Sequence, residues 1–172
     1  MQTLKKNFIS LQVHRALRKP GTQRGSVSYS QANEVGILFS AGDMYKHDQV
    51  KKLVKLLEND GKRVEVLSFL DKNQDNHEFK FDFFREEDVN FWGQFISEMV
   101  ERFINKPFDY LFHLDLEPNQ HIEHVLAKSR AKCRIGAFHD KKSSFYEMMV
   151  KPEQSSINEL INQLYHYTRS LI

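Results

Sequence analysis

Asp43 is the residue that this sequence places best for chemistry. It follows an apolar run at residues 35–39 (VGILF) and the short turn Ser40-Ala-Gly42, and it precedes a helical pattern. A carboxylate between a buried strand and a helix can take a proton from a hydroxyl, or it can cap the helix by accepting backbone N–H groups. Asp115 and Glu117 follow a second apolar run at residues 110–114 (YLFHL). His113, Asp115 and Glu117 alternate along that strand and its exit, so their side chains point to one side. His121 and His124 lie one helical turn further on. Imidazole and carboxylate suit zinc or iron. The plainer reading is that His113 is a hydrogen-bonded core residue and the helical pair sits on a polar face, so no metal is expected.

Nucleophilic chemistry has less support. The single cysteine, Cys133, opens a strand rather than a helix and lacks the dipole that would lower its pKa. Ser143 and Ser144 lie near His139, but loop polarity accounts for them and no Gly-x-Ser-x-Gly elbow is present. The Gly-x-Gly-x-x-Gly and Gly-x-x-x-x-Gly-Lys-Ser/Thr fingerprints are absent too, and no cofactor is expected.

These residues need elements to hold them. Residues 35–39 form a strand buried on both faces, and Val50, Leu53, Val54 and Leu57 mark the helix after Asp43, which Asp60-Gly61 ends. Residues 64–70 are the next strand, which completes a right-handed βαβ unit. After a polar stretch at 71–77, residues 78–84 alternate Phe79, Phe81 and Phe83 with charged residues, as suits an edge strand. A helix is predicted over 88–105 with Trp92, Phe95, Met99 and Phe103 inward, ended by Lys106-Pro107. Residues 110–114 are a second central strand. Pro118 opens a helix whose inner face carries Ile122, Val125 and Leu126. Strands follow at 133–138 and 146–150. A last helix starts at the capping box formed by Ser156 and Glu159.

The alternation of strands and helices implies an α/β fold: a three-layer, Rossmann-like domain with a mostly parallel sheet of about six strands in the order 3-2-1-4-5-6. Ligands bind such sheets beyond the strand carboxyl ends, where the order reverses. Three loops converge there. They supply Ser40, Gly42 and Asp43, then Asp115 and Glu117, then His139 and Lys141 as the candidate ligand-binding residues. The helix after Asp43 offers free N–H groups to an anion, although Asp43 itself supplies negative charge there. Lys141 and Lys142 also fit a solvated turn.

The first 33 residues read differently, as a basic helix and linker ahead of an α/β domain at residues 34–172. They hold Lys5, Lys6, Arg15, Arg18, Lys19 and Arg24 and no acid, whereas the remainder carries 19 basic and 23 acidic residues. Residues 3–19 form a helix ended by Pro20-Gly21. Leu4, Phe8 and Leu11 fall on one side, continued by Arg15 and Arg18, with Val13 and Leu17 nearly opposite. A membrane-surface helix needs one sustained apolar face, so no membrane contact is expected. Contact with nucleic acid through phosphates is weighed and disfavoured, because aromatics are not interleaved with the charges. The chain of 172 residues is 40% hydrophobic and 28% charged. It has no apolar run near the roughly 20 residues of a membrane span and no signal-peptide core. A cytoplasmic location is expected.

The block FDYLFHLD at residues 108–115, followed by SRAKCRIG at 129–136, resembles an uncharacterised bacterial family of single Rossmann-like domains, of unknown function. The block is more distantly similar to the N-terminal half of heptosyltransferase-type glycosyltransferases, which also place a Gly-Asp pair after the first strand, here Gly42 and Asp43. That resemblance implies that Asp43 would be a catalytic base. Such enzymes hold their nucleotide-sugar with a second Rossmann domain, whereas this chain is expected to carry a single such domain. The reading that results is a non-catalytic domain that binds a small anionic ligand or a protein partner, including a further copy of itself, at the crevice. The alternatives are a glycosyltransferase-related enzyme or accessory half-domain using Asp43, and a nucleic-acid-associated protein using the basic segment.

Overall fold

The computed structural model describes residues 2–72 and 80–172. Along the chain run α1 (Gln2–Arg18), β1 (Glu34–Ser40), α2 (Met44–Asn59), β2 (Arg63–Phe69), β3 (Asp82–Phe84), α3 (Glu98–Asn105), β4 (Tyr110–His113), α4 (Gln120–Lys128), β5 (Cys133–Ala137), β6 (Met148–Val150) and α5 (Ile157–Arg169). The six strands form one sheet in the order β3-β2-β1-β4-β5-β6, and every pairing is parallel. This is the Rossmann-like order read from the sequence.

The central strands are apolar throughout because neither of their faces meets water. Val35, Ile37 and Phe39 of β1 and Tyr110 and Phe112 of β4 point to one side, where Leu53 and Leu57 of α2 and Leu160 and Leu164 of α5 cover them. Leu38 and Leu111 point to the other, under Val100 and Phe103 of α3 and Val125 of α4. The result is three layers. No helix among the described residues is long and apolar enough to cross a membrane.

Helix α1 lies on α4 outside this frame. Its Ile9 belongs to the core, and Val13, Ala16 and Leu17 pack beside it, whereas Leu4 and Leu11 face water. The chain after α1 is also tied to the body. Arg24 donates to the carbonyls of Ala131 (2.6 Å) and Ser129 (2.8 Å), and Ala32 is buried.

Several local expectations are corrected. The helix predicted over 88–105 begins only at Glu98. Asn90 accepts the N–H groups of Trp92 and Gln94 on its side-chain oxygen, Gly93 takes φ +73°, and Val89 bridges Phe95 antiparallel. This side-chain turn competes with helix, and it leaves Trp92 exposed rather than inward. Pro118 does not open α4: the helix begins at Gln120, and Asn119 caps it through its side-chain oxygen. Ser156 is the N-cap of α5 but makes no side-chain cap bond, and the Glu159 carboxylate accepts the backbone N–H groups of Glu153 and Gln154 rather than that of Ser156. The strand predicted over 78–84 pairs only from Asp82. Glu78 and Phe79 lie outside the described residues, as do positions 73–77 of the polar stretch. β3 is an edge strand, as its alternation implied. Pairing in β6 starts at Met148, after a 3-10 turn at Ser143–Phe145 that Tyr146 closes, and the Tyr146 ring packs on Gly136, where an added Cβ would lie 2.5 Å from it.

Gly93 holds the Trp92 turn against α1. A Cβ there would sit 3.0 Å from the Ile9 backbone nitrogen, in a conformation that L side chains rarely adopt. Gly93→Ala is expected to destabilise the protein by about 1–3 kcal/mol, read as a lower urea midpoint.

Candidate functional site

The sheet order reverses between β1 and β4, and their carboxyl ends frame a groove of about 360 Å³. Ser40, Gly42 and Lys46 line one wall, Asp115, Glu117 and Asn119 the other, and Ile157 closes the apolar side. The β1 exit and the first turn of α2 supply the first wall, and the β4 exit and the N-cap of α4 supply the second.

Asp115 is the hub of this site. Its carboxylate accepts the Ser40 backbone N–H (2.9 and 3.0 Å) and hydroxyl (3.0 Å), the His113 Nε2–H (2.9 Å) and the Lys46 ammonium. Burial alone would raise its pKa. The His113 hydrogen bond and charge and the Lys46 ammonium outweigh burial and hold the carboxyl at about 2. An ionised carboxylate only accepts, so Nε2 of His113 carries a proton. In the neutral ring Nδ1 then accepts from the Tyr146 hydroxyl at 2.7 Å. Burial pushes the Tyr146 phenol up, reinforced by the charges on Glu123 and Asp115, so it stays a donor.

The structure brings Ser40, Gly42, Asp115 and Glu117 together around the groove. Asp43 does not line it: exposed and next to Gly42, it caps α2, accepting the Lys46 N–H at 2.9 Å. His139 lines a small adjoining recess with His113, Glu123, Lys142 and Tyr146, which shares Asp115 and Glu117 with the groove, and its Nδ1 accepts the Lys141 N–H at 3.3 Å. Lys141 is exposed and lines neither the groove nor the recess.

Lys46 was missed by sequence reasoning. It had a signal: a cation in the first turn of a helix runs against the macrodipole and asks for a compensating acid. Its Nζ donates to the Ser40 carbonyl (2.8 Å) as well as to Asp115. Nothing in the sequence placed Tyr146 on His113, because that contact joins β4 to the approach of an edge strand.

His121 and His124 are not on a polar face. His124 is fully buried, its ring stacks on Phe95 with centroids 4.3 Å apart, and neither ring nitrogen has a hydrogen-bond partner among the described residues. Burial, with smaller contributions from Lys128 and His121, lowers its pKa to about 3. His121 stacks on Phe69 at 4.6 Å. Among the described residues, no group of three or more histidine, cysteine or acidic side chains could hold a metal ion. Burial first, then Glu147, pushes the Cys133 thiol up to about 12, so it is not a thiolate near neutral pH.

A model of a family of unknown function, DUF6913, matches residues 5–171, nearly the whole chain. No curated protein matches the sequence. Among solved structures, the Escherichia coli heptosyltransferase WaaC, determined with ADP, is similar at a TM-score of 0.53 and 7% identity. The match covers 80% of this chain and 48% of that one, so the chain spans about half the length of that enzyme. At this identity the likeness is one of fold.

Asp115→Asn would leave Lys46 with a buried charge and no counter-ion, and is expected to cost about 3–5 kcal/mol in a denaturant titration. Two acid limbs should appear in stability against pH. The folded pKa of His124 is depressed from 6.5 to about 3, so its contribution is present above pH 6.5 and lost as pH falls towards 3. Asp115, depressed from 3.8 to about 2, adds a second loss between those values. His47 and His121, also lowered by burial, share the upper limb, so His124→Leu should shrink that limb and keep the lower one.

Proposed function

For this chain, which belongs to the DUF6913 family of unknown function, we propose a non-catalytic role: binding a small anionic ligand in the groove between the β1–α2 and β4–α4 loops. The observation that carries this reading is the Lys46 ammonium in the groove wall. It has three protons, and its two acceptors are the Ser40 carbonyl and Asp115. The third proton, beside the positive end of the 16-residue helix α2, is available to a phosphate or carboxylate. Asp43 and Glu117 lie on either side, so a bare, highly charged anion is disfavoured. A ligand that joins a phosphate to hydroxyl groups, such as a nucleotide or a sugar phosphate, would give those carboxylates donors to accept. The heptosyltransferase neighbour was determined with ADP, an anion of this class.

The absence of turnover in this reading rests on engagement. Asp115 is surrounded by donors from Ser40, His113 and Lys46, and Asp43 is occupied with its cap. One observation favours the glycosyltransferase-related alternative: Asp43, next in the chain to the groove-lining Gly42, keeps one carboxylate oxygen outside the cap bond. That oxygen could accept a hydroxyl proton.

Thermal shift with orthophosphate, ADP and hexose phosphates tests the binding reading. A ligand at about 100 times its Kd should stabilise the fold by about 2.7 kcal/mol. Gly42→Phe should block the groove and abolish the shift without lowering the melting temperature, since among the described residues a Cβ at Gly42 meets only the flexible Lys46 side chain at 3.6 Å. No shift with any probe refutes the reading. Asp43→Asn preserves a good cap. Transfer from a nucleotide-sugar that is present in the wild type and lost in that variant, at unchanged stability, would establish the alternative.

A further inference from the structure

We propose that the outward side of α1, together with Phe91 and Trp92, is a docking surface for an anionic lipid bilayer. The helix has two apolar sides that oppose each other. Ile9, Val13, Ala16 and Leu17 face the body and are spent on packing. Leu4, Phe8 and Leu11 follow one another at intervals of four and three residues, which keeps them on a single outward stripe. Leu4 and Leu11 are 54% and 63% exposed.

By itself this stripe is short, as its sequence implied. The turn headed by Asn90 extends it. Phe8 meets Phe91 at 5.5 Å and Trp92 at 5.2 Å between ring centroids, and Phe91 meets Trp92 at 5.4 Å. Trp92 is 58% exposed and Phe91 39%. Three mutually packed rings beside two leucines form a contiguous apolar surface in water, an arrangement that marks an interaction site rather than scattered surface hydrophobes.

The charge around it selects the occupant. Arg15 and Arg18 continue the stripe, Lys6 and Lys19 are also exposed, and α1 contains no acid. In the neighbouring turn Glu86 pairs with Lys72, and the Asp88 carboxylate accepts the Arg85 N–H, which leaves Glu87 as the exposed acid there. A second copy fits poorly. A parallel two-fold contact along the stripe would set Arg15 and Arg18 against their own images. An antiparallel one centred on Leu11 would set Leu4 against Arg18, and one centred on Phe8 would leave Arg15 and Arg18 of each copy without a partner on the other. Indole and phenyl rings with leucines, bordered by arginine and lysine, match the bilayer interface, which takes amphipathic rings at headgroup depth and attracts basic side chains to anionic lipid.

Trp92 is the sole tryptophan, so its emission reports on this surface directly. The full chain is titrated with vesicles of phosphatidylcholine alone and of phosphatidylcholine with about one-third phosphatidylserine. The expected result is a blue shift and co-sedimentation with the anionic vesicles only, reversed by about 0.5 M salt. Leu4→Ser with Leu11→Ser should abolish both signals. Arg15→Gln with Arg18→Gln should weaken binding about thirty-fold. All four side chains lie in water, so the melting temperature should not change. Absence of a shift with anionic vesicles, or equal binding to neutral ones, overturns the proposal. So does a concentration-dependent dimer with Trp92 already blue-shifted, which would assign the face to a second copy. A shift with an acidic amphipathic peptide but not with vesicles overturns it in favour of a protein partner.

Discussion

The buried carboxylate of Asp115 joins parts of the chain that are far apart in sequence. It lies just past β4, yet it accepts hydrogen bonds from Ser40 at the end of β1, the ammonium of Lys46 in the first turn of α2, and the ring of His113. Through His113 the chain of contacts reaches Tyr146 on the approach to β6. A buried charge is tolerated only when it is paired and fully hydrogen-bonded. These donors therefore have to be in place together, and the two loops that wall the groove are held at a set spacing before any ligand arrives. Ligand-binding crevices depend on that kind of preorganisation, because ordering the loops no longer has to come out of the binding free energy.

The same constraint separates the roles of the acidic residues near the crevice. Asp115 positions its neighbours and has little capacity left for a ligand. Asp43 orders α2 by capping it, and Glu117 reaches the groove from the far wall. Lys46 links these roles, with its backbone N–H on the Asp43 cap and its side chain on Asp115. Binding at the groove would thus be felt in both central strands and in the start of α2.

On the opposite layer, α1 shows how one helix can satisfy two demands. Its inward side completes a core that also contains His124, a histidine kept neutral by burial among aromatic rings. Its outward side joins the Phe91–Trp92 turn. A summed hydrophobic direction for this helix is weak because two apolar sides cancel, so a sequence pattern that reads as a poor amphipath is in fact a helix apolar on both sides.

The fold was largely legible. Continuous apolar runs at β1 and β4, helical stripes between them and turn residues such as Gly61 point to a parallel sheet in the observed order, because burial on both faces and short right-handed connections leave few other arrangements. The errors were local. Helix α3 starts late because Asn90 and Gly93 build a turn that competes with helix, and Ser156 heads α5 as predicted but without its side-chain bond, while Glu159 reaches back to Glu153 and Gln154. The site was legible only in outline. Its position followed from strand order, and Ser40, Gly42, Asp115 and Glu117 followed from that position. Lys46, Tyr146 and the burial of His124 did not, since each depends on which side chains meet across elements that the chain brings together from dozens of residues apart. Periodicity along one segment determines which face is apolar. Only the packed structure decides what that face meets, because ion pairs, stacked rings and exposure belong to pairs of segments and not to either one alone.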